Sequence, residues 1–350
     1  MSGAFKISVA KMDFGVAEEL TRKVHDVVIV GGGPAGMSAA IYAARYGLDA
    51  VIITEEVGGQ VGKAGWVENY LGYTRIMGPG LAKKFEEHVK SYNVPIVIDS
   101  VVDVKRYGEL FKVYTLNGDE YTGRTVIISV GTKRRKLNVP GEDAYSGRGV
   151  SYCAACDAPL FKGKVVAVVG GGDSAAQSAL LLAEYANKVY IIHRRNQLRA
   201  QKHYQDLLLR NPKIEIIWNT VVKELRGDRL LRKVVLQRVD TNEVFEMPVD
   251  GLFVEIGAEP PVDLFKRIGL DLSQDGYIRV NHLMETSIPG IYAAGDCVDL
   301  APRDFRQIVV AAAQGALAAY SAYNYIIKKF GLIRGKDAYE ARPKSELYES

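Results

Sequence analysis

Twice along this chain a short β-branched run breaks into a glycine-rich turn and then into a helical pattern. The first run is His25-Asp26-Val27-Val28-Ile29-Val30, followed by Gly31-Gly32-Gly33-Pro34-Ala35-Gly36, a helix through Tyr46 and a second strand over residues 50–54. The second is a strand over 165–169, the turn Gly170-Gly171-Gly172-Asp173-Ser174-Ala175, a helix through Tyr185 and a strand over 188–192. Continuous apolar runs of this kind mark buried parallel strands. A G-x-G-x-x-G turn between strand and helix suits the pyrophosphate of a dinucleotide: Gly31 permits the tight turn, Gly33 lets the backbone approach the anion, and Gly36 allows close helix–strand packing. In the second unit Gly170 and Gly172 take the first two places and Ala175 the third, a variant the turn accepts. The chain is therefore read as α/β, with two Rossmann-like three-layer nucleotide-binding domains.

The residues beyond each second strand set nucleotide preference. In the first unit Thr54 ends the strand and Glu55 and Glu56 follow; Thr54 or Glu55 is the ribose-binding position, with Glu55 favoured. In the second unit no acid stands there. His193-Arg194-Arg195 follows the strand, and Arg199 lies four residues beyond Arg195. An acid would hold a 2′-hydroxyl and repel a 2′-phosphate, whereas guanidinium groups grip phosphate through several charge-assisted bonds. This predicts NADPH rather than NADH, against the plainer reading of a solvated basic face.

Between the two units lies Ser151-Tyr152-Cys153-Ala154-Ala155-Cys156-Asp157. A C-x-x-C pair can close a disulfide within one turn, and its first thiol is readily activated by a helix N-terminus or a cation. Asp157 could move protons when the disulfide opens. The chain has only three cysteines, Cys153, Cys156 and Cys297, so there is no disulfide framework. In an intracellular chain such a pair reads as redox-active. Structural zinc would need two further ligands, and the five histidines are scattered. A net charge of +4 over 350 residues makes no case for nucleic acid or an anionic membrane.

The remaining segments fit around these. Gly58-Gly59-Gln60 and Glu68-Asn69-Tyr70-Leu71-Gly72 belong to a glycine-rich loop, and 79–92 reads as a helix. Residues 101–107, 110–116 and 120–122 alternate like antiparallel strands, and 125–130 is a buried strand ending at Gly131-Thr132. An apolar stretch over 286–294 leads into Gly295-Asp296, which reads either as a strand-end turn or as an aspartate aimed at a flavin's ribityl hydroxyls. Arg306-Gln307-Ile308 opens a stretch over 308–327 that is nearly apolar, yet Gln314, Gly315, Ser321 and Asn324 favour a long buried helix over a membrane span. Residues 1–23 carry charges throughout and lack an apolar signal core, reading as a short tail or an added helix. Two nucleotide sites and one dithiol imply a relay: NADPH delivers a two-electron package, a disulfide accepts one, and a flavin mediates between them.

This ordered series (GGGPAG, the GGQ loop, VENYLG, CAAC with Asp157, GGGDSA, HRRNQLRA, GLFVEIG, TSIPGIYAAGD and FRQ) resembles the low-molecular-weight thioredoxin reductases, and the resemblance covers residues 24–327. It implies an FAD domain split over 24–134 and 258–330, an inserted NADPH domain over 135–257 that carries the dithiol, and a polar tail over 331–350. It also implies a cytoplasmic homodimer whose NADPH domain rotates, so that dithiol and nicotinamide take turns at the flavin. Carried over residue by residue, Cys156 faces the flavin, Cys153 attacks the disulfide of thioredoxin, and Asp157 is the general acid and base. FAD is held by Gly31, Gly33, Pro34, Ala35, Gly36, the Thr54/Glu55 position, Gly59, Gln60, Asn69, Val102, Gly131, Gly295, Asp296, Arg306, Gln307 and Ile308. NADPH is held by Gly170, Gly172, Asp173, Ser174, Ala175, His193, Arg194, Arg195, Arg199 and Gly257. Arg148 and Lys84 fall where relatives place partner-binding cations, or are simply solvated.

Three departures stand out. Ala158-Pro159-Leu160-Phe161 replaces a Phe-Phe pair that docks thioredoxin in bacterial relatives, which leaves thioredoxin and a thioredoxin- or glutaredoxin-like protein both open as partner. The loop over 297–305 is longer than usual, and the extension over 1–23 has no assigned role. Other acceptors, namely another disulfide oxidoreductase, a peroxidase partner or oxygen, form the rival enzyme reading; an NADPH-sensing module without turnover is the non-enzyme one.

Overall fold

The computed structural model describes residues 19–64, 66–300 and 305–331. Expectations for residues 1–18, 301–304 and 332–350 lie outside the described residues. The described residues form two compact units: those within 19–61, 81–131 and 260–331 make the first, and those within 62–80 and 132–259 the second. Residues 62–80, read from sequence as part of the split domain, thus group with the second unit, and the crossings between Gly131 and Thr132 and between Glu259 and Pro260 lie a few residues outside the boundaries read from sequence. The shift arises because Lys133–Arg134 and Ala258–Glu259 pair as a two-stranded antiparallel ribbon that belongs to the second unit.

In the first unit β1 (Val24–Val30) leads into α1 (Pro34–Arg45), then β2 (Ala50–Thr54), β3 (Ile96–Ile98), β4 (Val101–Tyr107), β5 (Leu110–Thr115) and β6 (Glu120–Ile128). The sheet order is β3-β2-β1-β6-β5-β4, with Ile291–Ala293 added parallel to β6. Successive residues of a strand face opposite sides. Val28 and Val30 accordingly enter one core with Val113, Tyr121 and Phe265, and Val27 and Ile29 enter the other with α1 and the long C-terminal helix Ile308–Phe330. Burial on both faces is why β1 reads as an unbroken apolar run.

Two expectations need adjusting. The stretch read as two strands over 120–130 is one, Glu120–Ile128, because Gly123 has no Cβ to collide with Val28, whose Cγ2 lies 2.8 Å from where that Cβ would stand. The strand before Gly295 is short, Ile291–Ala293, since Pro289 lacks a donor and Gly290 turns with φ 92°.

No helix among the described residues is long and apolar enough to cross a membrane. The helix Ile308–Phe330 instead buries one stripe, including Ala311, Gly315, Ala318 and Ala322. Gly315 sits so tightly on α1 that a Cβ there would stand 2.0 Å from the Ala35 carbonyl oxygen. Gln314 Oε1 accepts the Gly295 N–H at 2.8 Å, and Ser321 Oγ donates to the Leu283 carbonyl at 2.7 Å. Gln314 and Ser321, two of the polar residues that argued against a membrane span, thus tie this helix to its neighbours, while Asn324 is exposed and donates to the Tyr320 carbonyl of its own helix.

The second unit repeats the strand–turn–helix plan. β7 (Val150–Ser151), β8 (Val165–Gly170), α2 (Asp173–Tyr185), β9 (Lys188–Ile192), β10 (Ile214–Ile217) and β11 (Gly251–Glu255) form a parallel sheet of order β7-β11-β8-β9-β10. Val166 and Val168 pack beneath α2, while Ala167 and Val169 face a three-stranded antiparallel sheet built from Thr220–Gly227, Leu231–Arg238 and Val244–Pro248. Both units are Rossmann-like.

Candidate active site

The first glycine turn is closed by packing. Gly31 takes φ 109°, and a Cβ there would stand 2.4 Å from the Ser129 carbonyl oxygen; at Gly36 it would stand 1.9 Å from the Gly31 oxygen. Ser129 Oγ donates to the Val30 and Gly31 carbonyls, both at 3.0 Å, and so fastens the turn to the end of β6. Gly33 is the N-cap of α1; no side chain caps the helix, and its Cβ direction is open. Uncapped N–H groups at an open helix start suit a phosphate. Pro34 and Ala35 open α1, and Gly59 approaches so closely that its Cβ would lie 3.3 Å from the Gly33 Cα, bringing Gly59-Gln60 to the turn.

Thr54 and Glu55 differ in kind. Thr54 is buried, its Oγ1 accepting the Gly32 N–H at 2.9 Å and donating to the Glu56 carbonyl at 2.8 Å. Glu55 is exposed and accepts from Ser100 Oγ at 2.9 Å. Gly131 turns with φ 60° beyond β6, and Val102 lies half-buried on β4. At the far end of the same unit, burial pushes the half-buried Asp296 carboxyl above its ordinary range, with Arg306 pulling it back. Arg306 stacks on Tyr277 at 4.0 Å, and its buried Nη1 has no hydrogen-bond partner among the described residues. An orphaned buried guanidinium nitrogen fits an anionic ligand. Gln307 and Ile308 start the C-terminal helix beside it. Asn69, expected with this group, is exposed in the 62–80 segment that belongs to the second unit, so the first unit does not gather it.

The second turn follows the same geometry. A Cβ on Gly170 would stand 2.3 Å from the Glu255 carbonyl oxygen. Gly172 is an open N-cap with no side-chain cap on α2. Ala175 is buried, Ser174 is exposed, and Asp173 turns aside, its carboxylate accepting from the Gln201 backbone N–H and side-chain amide at 2.7 and 2.6 Å. His193 is 5% exposed, with Nε2 3.0 Å from the Gln197 carbonyl oxygen; a Cβ on Gly171 would strike its ring at 2.2 Å. Burial pushes its pKa below the ordinary value, offset by bonds to the Gln197 and Gly170 backbone. His193 thus forms the floor of the turn. Arg194, Arg195 and Arg199 are exposed, none has a carboxylate partner among the described residues, and the Arg199 N–H binds the Gly171 carbonyl at 2.6 Å. Three free guanidinium groups at the end of β9 fit a phosphate beyond the pyrophosphate. Gly257 is exposed with φ 97°.

Cys153 and Cys156 are joined by a disulfide across a Cα–Cα distance of 5.4 Å, and no cluster of three or more metal-ligating side chains exists among the described residues. Cys153 is the N-cap of the short helix Ala154–Asp157, its Sγ accepting the Cys156 N–H at 3.2 Å and lying 3.3 Å from the Lys63 carbonyl oxygen. An amide aimed at sulfur favours the thiolate once the bond opens. Cys156 is exposed; Asp157, half-buried, donates its N–H to the Cys153 carbonyl at 3.2 Å. Behind the pair stands Glu142, 3% exposed, which accepts from the Leu137 and Asn138 N–H groups and, at 2.7 Å, from Tyr152 Oη. No sequence pattern joins residues 142 and 152. Phe161 turns into the core against Phe253, with ring centroids 5.2 Å apart, while Leu160 is 70% exposed. Cys297 is fully buried, and burial pushes its thiol up to about 12. Lys84 pairs with Glu87 at 3.1 Å, and Arg148 is exposed.

Residues 25–315 match the family model described as pyridine nucleotide-disulphide oxidoreductase. Among curated proteins, "Thioredoxin reductase" of Bacillus subtilis (strain 168) is 42% identical over 309 residues, covering 87% of this chain and 95% of that protein. "Thioredoxin reductase" of Peptoclostridium acidaminophilum is 40% identical, covering 88% and 98%. Among solved structures, Lactococcus lactis thioredoxin reductase in its FR conformation superposes with a TM-score of 0.83 at 39% identity, covering 87% of this chain and 99% of that one. The T. acidophilum enzyme gives 0.81 at 38% identity with the same coverage. What sets this chain apart from dehydrogenases built on similar turns is a disulfide one strand ahead of an arginine-marked nucleotide turn. With the extent of these matches, that makes it a member of the thioredoxin reductase family, an oxidoreductase that takes FAD and NADPH.

Proposed function

We propose that this protein passes electrons from NADPH through FAD to the Cys153–Cys156 disulfide and on to the disulfide of thioredoxin or a thioredoxin- or glutaredoxin-like protein. The observation that carries the reading is the disulfide itself, with the Cys156 N–H directed at Cys153 Sγ, held on the same unit as the arginine-marked turn. FAD, when bound, supplies a two-electron carrier between a hydride donor and a disulfide.

In the first unit, the N–H groups at the start of α1 bind its pyrophosphate, Glu55 takes the ribose, and Asp296 and Arg306 hold the remainder, with Gly59, Gln60, Val102, Gly131, Gln307 and Ile308 lining the site. In the second unit, the start of α2 binds the NADPH pyrophosphate and Arg194, Arg195 and Arg199 grip the 2′-phosphate. Reduction opens the Cys153–Cys156 bond to two thiols. Asp157 holds and returns a proton at Cys156 Sγ. Cys153, as thiolate, attacks one sulfur of the partner's disulfide and displaces the other as a thiolate, and Cys156 then attacks Cys153 Sγ to release the partner reduced and restore the bond. Turn and dithiol ride on one unit, so they act in alternation and the linker must bend between half-reactions. We place the protein in the cytoplasm, as a homodimer.

Anaerobic NADPH oxidation, measured with and without oxidised thioredoxin of the same cell, tests this. Fast turnover with thioredoxin is the expected result. Bleaching of the flavin by NADPH without acceleration by any thioredoxin-like protein would remove the proposed acceptor.

A further inference from the structure

Glu255 ends β11, 7% exposed, and faces two elements at once. Its Oε1 accepts from Ser178 Oγ of α2 at 2.8 Å. Its Oε2 pairs with Arg134 Nη1 of the linker ribbon. The Glu255 carbonyl packs on Gly170, so the residue is anchored in the same elements that form the second nucleotide turn. Burial pushes its carboxyl upward, opposed by Arg134 and Ser178, so the ionised form depends on these partners. The ribbon's other contacts include its own strand pairing and ion pairs with exposed acids. Arg134 and Lys133 pair with Ala258 and Glu259, and the Arg135 N–H reaches the Gly257 carbonyl at 3.0 Å. Arg135 meets Glu259 at 3.4 Å and Lys136 meets Asp143 at 2.7 Å, both pairs exposed. Exposed pairs hold little, but breaking a buried one strands a charge.

We propose that Glu255 is a positioning residue: through Arg134 it clamps the linker ribbon to the nucleotide-turn end of the second unit. The ribbon then travels with that unit, and bending beside the ribbon is moved out to the crossings at Gly131 and Thr132 and at Glu259 and Pro260. This rests on the alternation proposed above, but the clamp has a readout of its own.

Residues 133–136 are Lys-Arg-Arg-Lys, a trypsin target lying within and beside the ribbon. In limited trypsin digestion of the full-length holoenzyme, Glu255→Gln keeps shape and the Ser178 bond but loses the charge. It is expected to raise cleavage within 133–136 about tenfold, because cleavage follows the population of the opened linker. Arg134→Gln leaves three cleavable positions and should do the same, and the double variant should be no worse than either, as for two halves of one interaction. Ser178→Ala, which frees α2 but not Arg134, should digest like wild type. Glu255→Gln should also lower kcat for the protein disulfide without raising KM for NADPH, with ferricyanide reduction unchanged.

Wild-type cleavage of a folded Glu255→Gln protein would overturn the clamp, as would equal sensitivity in Ser178→Ala, which would make Glu255 a helix anchor. Should wild type reduce no protein disulfide, the functional reading fails while the digestion still decides the clamp.

Discussion

The two glycine turns are built alike and addressed differently. In each, the first glycine lies against the carbonyl of a neighbouring strand end, Ser129 in the first unit and Glu255 in the second, at 2.4 and 2.3 Å from its would-be Cβ. In each, the middle glycine rests on the residue at the end of the second strand: Gly32 on Thr54, Gly171 on the His193 ring. Thr54 and His193 therefore occupy equivalent floor positions, and the residue after each is exposed at the end of the strand. That residue is Glu55 in the first unit and Arg194 in the second. On the function proposed above, a shared backbone solution for pyrophosphate would leave the choice of nucleotide to the sign of one exposed side chain and its neighbours.

Breaking the asymmetry between the units should give the largest effect. Only the second unit carries the disulfide, so Cys153→Ser or Cys156→Ser should each cut protein-disulfide reduction by about a thousandfold or more, while NADPH still bleaches the flavin. Stopped-flow and steady-state assays together check this; retained turnover in either variant would end the dithiol mechanism. Next comes the address. Replacing Arg194, Arg195 and Arg199 with Gln together should raise KM for NADPH about a hundredfold, since several charge-assisted bonds are lost, and leave NADH within about threefold. Equal changes for both nucleotides would reject the 2′-phosphate assignment.

The third position of each turn sharpens the comparison at the level of packing. Gly36→Ala would put a methyl 1.9 Å from the Gly31 oxygen and should destabilise by about 3 kcal/mol in urea unfolding. Ala175→Gly, at the matching place, should cost only about 1 kcal/mol, the backbone entropy of a glycine. The smallest effect is expected at Cys297. With its thiol pushed up to about 12 and no exposed surface, it should resist iodoacetamide at pH 8, and Cys297→Ser should keep near-wild-type turnover. NADPH reduction should therefore expose two alkylatable thiols rather than three, countable by mass spectrometry.

Local chemistry made much of this legible. Strand–turn–helix periodicity, the C-x-x-C spacing and the arginines after Ile192 are all relations between near neighbours, and the chain shows them directly. The limits appear where contact replaces adjacency. His193, read as a nucleotide contact, is buried as the floor of the turn because Gly171 leaves room for its ring. Thr54 and Glu55 stand side by side in the sequence, but Thr54 is buried and bonded to Gly32 and Glu56 while Glu55 is exposed. Phe161, adjacent in sequence to exposed Leu160, is drawn inward by the space beside Gly251.

By itself the sequence determined the α/β class, the doubled turn, the Cys153–Cys156 pair and the basic cluster after the second turn's strand, since each depends on residue types a few positions apart. Tertiary structure alone decided what stands behind them. Glu142 under Tyr152, Ser129 across the first turn, Arg306 Nη1 without a partner among the described residues, and Glu255 joined to both Ser178 and Arg134 are pairings between residues distant in sequence or unsatisfied groups. A buried polar atom must find a partner wherever the fold brings one, and no one-dimensional pattern records that choice.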